Sequence, residues 1–264
     1  MDSSAIFLRF APAGRAVALR ELTGHDERRV RGIATRDALE LIDAVLAPAR
    51  KEKPPVASAD LVAADRDRIL AELYRRAFGD RIQATLLCEG CGEPFDIEFS
   101  LQDLAAATDN ESGPRKYASV GANLFEAPAG WRFRIPTGRD ECEVAAFDPT
   151  AAEKALFELC VEESATPPDM AELETALEEL APLIEFDLKA SCPGCQQVQL
   201  VQFDIQTYLL RSLLNEQSRQ AFEIHRLAAA YHWSLDEVLS LTRHERRRLV
   251  EMVEHDISRR AIPS

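Results

Sequence analysis

No apolar run among the 264 residues approaches the roughly 20 that a membrane-spanning helix needs. The first ten residues, Met1-Asp-Ser-Ser-Ala-Ile-Phe-Leu-Arg-Phe, carry neither the basic start nor the apolar stretch of a secretory signal. A soluble protein of the cytoplasm is expected, without membrane contact. Basic charge is short as well: 31 Lys and Arg stand against 45 Asp and Glu, a formal net charge of −14. That balance excludes broad, sequence-independent attraction to nucleic acid or anionic lipid. Six cysteines are too few for a disulfide scaffold, and the five histidines form no His-Glu-x-x-His pair. With nothing resembling an active site, the chain is read as a non-enzyme with no small-molecule substrate.

Hydrophobic residues make up 46%, enough for a sizeable core, and one pattern runs through the chain twice. Residues 17–27 (Val-Ala-Leu-Arg-Glu-Leu-Thr-Gly-His-Asp-Glu) and 131–141 (Trp-Arg-Phe-Arg-Ile-Pro-Thr-Gly-Arg-Asp-Glu) are each a short strand running into Thr-Gly-x-Asp-Glu. The offset of 114 residues also sets Leu41–Leu46 opposite Ala155–Cys160. Further on the offset is 104, and there Cys88 and Cys91 fall on Cys192 and Cys195, and Phe99–Leu104 on Phe203–Tyr208. The shared plan is strand, capped helix, further helix, strand, Cys-x-x-Cys, strand. Thr23 with Asp26, and Thr137 with Asp140, have the spacing of a helix cap. Capping accounts for Thr-Gly-x-Asp-Glu better than a phosphate loop, which would need a lysine close by.

The expected fold is α+β: two pseudo-repeated lobes with β-hairpin zinc knuckles forming one zinc ribbon, followed by a C-terminal helical tail. Residues 1–106 form the first lobe, 107–118 a linker, 119–215 the second lobe and 216–264 the tail. Residues 47–55 read as an exposed connection. Residues 61–78 predict an amphipathic helix with Ile69, Leu70, Leu73 and Phe78 on its apolar stripe, charges between them and a stop at Gly79. Residues 151–189 hold eleven acidic side chains and two lysines. They are read as a solvated helix face, with an acidic docking surface as the alternative.

Cys88, Cys91, Cys192 and Cys195 carry the metal argument. A structural zinc ion wants four soft ligands in a tetrahedron, and each Cys-x-x-Cys turn supplies two sulfurs at the right separation. Gly90 and Gly194 lie inside the turns, where backbone N–H groups approach the sulfurs. Both pairs sit between strands rather than at a helix start that would lower a thiol pKa, which disfavours a redox dithiol. Two homologous halves packed face to face would bring their knuckles together around one Zn2+, with no coordination position left for substrate. Cys142 and Cys160 are read as buried hydrophobes without chemistry.

From Glu216 onward the chain predicts a small three-helix unit. Ser234 with Glu237 and Thr242 with Glu245 make successive capping boxes, and Leu249, Val250, Val253 and Ile257 are expected to be buried. Tyr231, His232 and Trp233 form a candidate aromatic anchor for a partner protein. Arg243 with Arg246, Arg247 and Arg248 reads as a local basic face. A helical hook that docks on a protein is favoured; the rival is a zinc-ribbon regulator whose C-terminal helices bind DNA.

The stretch from Ile224 to Leu241, including Tyr231-His-Trp-Ser, followed by Arg246-Arg-Arg-Leu-Val-Glu-Met-Val, resembles the ending of the T-even-type phage baseplate-hub assembly family. That family has relatives in phage-like contractile injection systems. Leu22-Thr-Gly-His-Asp-Glu, Asp65-Arg-Asp-Arg-Ile-Leu with Phe78-Gly-Asp, Ile135-Pro-Thr-Gly-Arg-Asp and both Cys-x-x-Cys pairs match in order along almost the whole chain. The resemblance implies a non-enzymatic assembly protein or assembly chaperone of a contractile-tail baseplate. Its partners would be tail tube, hub or baseplate proteins, met in the bacterial cytoplasm during assembly or retained in the particle.

Overall fold

A computed structural model of the chain describes residues 5–11, 16–47, 56–110, 116–162 and 167–261. The order is β1 (Ile6–Phe7), β2 (Ala16–Leu19), α1 (Gly24–Arg29), α2 (Thr35–Val45), β3 (Leu46–Ala47), α3 (Ala63–Phe78), β4 (Arg81–Leu87), β5 (Pro94–Ser100) and α4 (Leu101–Asn110). Then come β6 (Ala118–Gly121), β7 (Leu124–Glu126), β8 (Arg132–Phe133), α5 (Gly138–Val144), α6 (Pro149–Cys160), α7 (Met170–Leu180), β9 (Glu185–Ser191), β10 (Val198–Asp204) and α8 (Ile205–Asn215). The tail holds α9 (Gln217–Tyr231), α10 (Leu235–Leu239) and α11 (Arg243–Ala261). This is an α+β architecture with small antiparallel sheets: β1-β2-β3, β6-β7-β8 and the two hairpins β4-β5 and β9-β10. Of the connection expected over 47–55 all but the first residue lies outside the described residues; of the linker expected over 107–118 only 111–115 do, because α4 continues to Asn110 and β6 begins at Ala118. Among the described residues no helix is long and apolar enough to cross a membrane.

Both hairpins are built alike. Arg81 pairs with Ser100 and Leu87 with Pro94 in one; Glu185 pairs with Asp204 and Ser191 with Val198 in the other. Each is closed at its base by a backbone bond, Leu101 N–H to Asp80 O at 3.0 Å and Ile205 N–H to Ile184 O at 3.3 Å. A helix follows each at once, α4 after Ser100 and α8 after Asp204, whose carboxylate accepts the N–H groups of Gln206 and Thr207. Alternation puts Ile82 and Phe203 inside, and Phe99 meets Phe203 edge to face at 5.1 Å.

The main core joins the two halves of the chain. Ile69, Leu70 and Leu73 of α3 belong with Ile42, Ile82 and Leu101 and with Ile184, Phe203, Leu209, Leu210 and Leu213 to one buried cluster. A second core gathers Tyr117, Phe125, Trp131, Phe133, Leu173 and Ala176 around Val62 and Ala64 from the start of α3. The tail has its own small core of Leu227, Val238, Val250 and Val253, against which Ile224, Trp233, Leu241 and Leu249 pack.

Helix α3 departs from expectation in its charges. Asp65, Arg66 and Asp67 are all buried, because each meets a distant partner. The Asp65 carboxylate accepts the Arg9 and Phe10 N–H groups at 2.7 and 3.0 Å. Arg66 donates to Glu141 at 2.7 Å, and Asp67 accepts the Ile184 N–H at 2.9 Å. Burial pushes the Asp67 carboxyl up to about 7, against the pull of the Ile184 N–H. The folded form therefore holds a proton that the unfolded chain releases near pH 4, so this group favours folding as pH falls from 8 to 5. A rise of about three pH units corresponds to about 4 kcal/mol. Asp67→Asn is expected to flatten this dependence and to gain on the wild type at pH 8 in urea unfolding. Equal differences between the two proteins at pH 5 and pH 8 would contradict it.

Candidate metal centre

Each Cys-x-x-Cys pair sits at a hairpin tip that folds the same way. Cys88 N–H donates to Glu93 O at 3.0 Å and Gly92 N–H to Cys88 O at 2.8 Å; Cys192 N–H donates to Gln197 O and Gln196 N–H to Cys192 O, both at 2.9 Å. The left-handed residue of each turn follows the second cysteine: Gly92 at φ 74° and Gln196 at φ 62°. Of the two inner glycines only Gly90 is crowded. Gly90 N–H lies 3.4 Å from Cys88 Sγ, and a Cβ on Gly90 would stand 3.3 Å from the Gln197 side chain and 3.6 Å from Cys195 Sγ. At Gly194 a Cβ would meet only Cys192 Sγ, at an ordinary 3.7 Å.

The two tips converge across 104 residues of sequence. Cys88 Sγ lies 3.4 Å from Cys195 Sγ, Cys91 Sγ lies 3.8 Å from Cys192 Sγ, and all four sulfurs fall within 4.8 Å of one another. A disulfide would need about 2.05 Å, and the six cysteines are free thiols. Four sulfurs about 2.3 Å from a central ion stand about 3.8 Å apart in a regular tetrahedron. The observed separations bracket that value, so the four cysteines lie close enough to bind a metal ion.

The closeness of the four sulfurs also sets their thiols apart from one another. Hydrogen bonding from the Cys91 backbone N–H draws the Cys88 thiol well below its usual range. The Glu93 N–H acts the same way on Cys91, but the neighbouring Cys88 and Cys195 sulfurs outweigh it and drive that thiol up. Cys195 is likewise raised, the Gln197 N–H being outweighed chiefly by Cys88. Without a cation, ionising one thiol therefore discourages the others; a divalent ion removes the conflict. Around the sulfurs, Phe95 and Ala190 pack with the buried Cys88 and Cys192, and Leu86, Ile97 and Val201 extend the apolar collar. Buried Gln199 ties the tips together, accepting the Glu89 N–H and donating to Leu87 O, both at 3.1 Å.

The candidate partner residues lie on the tail, away from the cysteines in sequence and in the core they join. Tyr231 is exposed and stacks on Trp233 with ring centroids 4.9 Å apart. Trp233 is half-buried against the tail core, and His232 ends α9 in the left-handed region at φ 58°. The basic face expected from the arginines is not on the surface. Arg246 is 1% exposed and donates to Glu27 at 2.5 Å, to Glu223 at 3.1 Å and to Leu241 O at 2.9 Å. Arg243 is buried over the Phe78 ring and pairs with Glu216. Arg247 is half-buried on Glu216, leaving only Arg248 of the four exposed. An acidic ring of Glu27, Glu216 and Glu223 pulls these guanidinium groups inward, and the periodicity of α11 alone gave no sign of it. Ile257, expected inside, is 48% exposed.

Elsewhere Cys160 is buried and its thiol is pushed up to about 11, in keeping with a structural role. In the acidic stretch Glu153, Glu158, Glu174 and Glu178 face solvent, and Glu179 pairs with Lys116 and Tyr117. Residues 163–166 of that stretch lie outside the described residues. Cys88, Cys91, Cys192 and Cys195 are the only group of three or more potential metal ligands found together among the described residues. No family model, curated protein or solved structure matches the chain.

Proposed function

We propose that this protein is a non-enzymatic assembly component of a contractile-tail baseplate, held in shape by one structural zinc ion shared between two pseudo-equivalent lobes. The observation that carries the scaffold reading is the convergence of four cysteines from two distant hairpin tips into one cluster. Four thiolates fill a tetrahedral shell, so the ion would have no open position for water or substrate. Zinc suits the donor set, since soft thiolates in a tetrahedron select it or an iron–sulfur centre over harder ions. The equal registers of the two hairpins and the equal hydrogen bonds at their bases support the duplicated plan.

The assignment to a baseplate rests on the resemblance of the C-terminal segment and on the order of the motifs along the chain. Within that reading the outer side of the tail is the contact element, with Tyr231 at its exposed edge. Binding would take place in the bacterial cytoplasm while the tail assembles. The DNA-binding alternative loses its motive, because Arg243 and Arg246 are buried in ion pairs rather than offered to phosphates.

Co-expression with tail tube, hub and baseplate proteins of a contractile tail provides the test. Co-elution with one of them is expected, and Tyr231→Ala should weaken it by about 1 to 2 kcal/mol, roughly tenfold, as for an exposed aromatic anchor. Trp233 is unsuited to this test because it also supports the tail core. A folded protein that co-elutes with none of them would sink the baseplate reading.

A further inference from the structure

The tail reaches the rest of the molecule through a joint that the structure contains twice. At Thr-Gly-x-Asp-Glu of the first half, Gly24 N–H donates to Leu241 O at 3.1 Å, and Thr23 forms a β-bridge with Thr242. Glu27 then receives Arg246. In the second half, Gly138 N–H donates to Leu61 O at 2.9 Å, Thr137 bridges Val62, and Glu141 receives Arg66. The parts that hold each turn in place also agree. Arg20 grips Asp26 with two bonds of 2.6 and 2.8 Å, and Arg134 grips Asp140 with the same two distances.

Glycine is needed at both joints for the same reason. A Cβ on Gly24 would stand 2.9 Å from Leu239 Cδ2 and 3.0 Å from Arg246 Nη1. One on Gly138 would stand 2.8 Å from Leu39 Cδ2 and 3.1 Å from Arg66 Nη1. Each turn therefore meets a leucine side chain and a guanidinium at close range. The segments received correspond residue for residue at an offset of 180: Leu61-Val-Ala-Ala-Asp-Arg and Leu241-Thr-Arg-His-Glu-Arg. Helices α3 and α11 both begin one residue after the bridged position, and Ile69, Leu70 and Leu73 correspond to Leu249, Val250 and Val253.

We infer that Thr-Gly-x-Asp-Glu is a receptor for a helix start of the form Leu-x-x-x-(Asp/Glu)-Arg, built once in each half, and that residues 241–253 are a further copy of the helix at 61–73. The second half's receptor holds the helix start of the first half. The first half's receptor holds the C-terminal helix, which is thus a fixed inner element on this side and a free surface only on the other. The leucine carbonyl and the arginine, five residues apart, are read together by the glycine N–H and the glutamate. The three residues after the leucine differ between the two copies.

Amide exchange at Gly24 and Gly138, resolved by NMR in the full chain, tests this. Arg246→Leu should speed exchange at Gly24 at least 30-fold and leave Gly138 within threefold; Arg66→Leu should do the mirror image. Glu27→Gln and Glu141→Gln, which keep the side-chain shape, should reproduce each pattern more weakly. Thr242→Val combined with Glu245→Asp gives the bridged and acidic positions their first-half residues and should leave Gly24 within threefold of the wild type. The inference is overturned if each arginine or glutamate substitution speeds both amides alike or neither. It is equally overturned if that double variant loses protection at Gly24 as Arg246→Leu does.

Discussion

Cys88→Ser and Cys192→Ser are each expected to release the bound ion completely, although the two residues lie 104 positions apart in the chain. Elemental analysis of protein purified without added metal should give about one zinc per chain for the wild type, the stoichiometry of a four-thiolate site. Loss of one ligand opens the shell, and loss of the ion returns the three remaining thiols to the conflict described above. The free energy at stake is large, on the order of 5 kcal/mol or more, since structural zinc sites contribute to folding directly. The damage should nevertheless be graded along the hairpins. Ile82 and Phe203 near the bases belong to the main core, so α3 and α8 should persist in far-UV circular dichroism. Amide protection should vanish first around residues 88–91 and 192–195. A chelator applied to the wild type should reproduce both effects. If one serine variant keeps about half of the metal, the ion is not shared and the common centre is wrong.

The second large effect is expected at Arg246. Its guanidinium is the only fully buried cation that touches both Glu27 and Glu223 among the described residues. Burial already raises the Glu27 carboxyl above its usual range, against the pull of Arg246 and Arg243. Arg246→Met fills similar volume but leaves two carboxylates facing each other in the interior. Breaking a buried pair in this way costs about 3 to 5 kcal/mol. Adding Glu27→Gln should recover part of the loss, giving a coupling energy of at least about 1 kcal/mol in the double-mutant cycle. The pH dependence has a definite sign. In Arg246→Met the folded-state pKa of Glu27 rises further above its unfolded value, so part of the missing stability should return as pH falls from 7.5 to 5. A deficit that is the same at both pH values, or no deficit, would show that the pair does not hold the tail.

Much of this arrangement was legible from residue patterns. The strands expected before the two Cys-x-x-Cys pairs are β4 and β9, because alternating apolar residues followed by Cys-x-x-Cys leave little freedom of register. Thr23 and Thr137 donate to Asp26 and Asp140 as capping spacing implied. The cysteine cluster followed from ligand count and from the repeat. Charged runs were misread for a common physical reason. Asp65-Arg-Asp and Arg243 to Arg247 look solvated on a helical wheel, and only their partners make burial tolerable. Those partners lie far along the chain, at Arg9, Glu141 and Ile184 for one run and Glu27 for the other. Periodicity reports the face of one helix and is blind to a carboxylate delivered from elsewhere. The left-handed Gln196 is likewise hidden, since glutamine carries no signal for a positive φ as the glycine at the matching position 92 does.

The wide separation of the two knuckles sets a schedule for biosynthesis. At about 5 to 20 residues per second, the ribosome delivers Cys192 some 5 to 20 s after Cys88. Throughout that interval the first knuckle has two thiols and no complementary pair, and the core that will receive Ile82 lacks Phe203 and Leu209. The first receptor waits longer still, for Leu241 and Arg246. Neither half can complete the main core ahead of the other, so that core closes only once β10 and α8 have emerged. A nascent protein truncated before β9 would therefore expose half a metal site and an open core, a form suited to capture by chaperones and proteases rather than to premature docking.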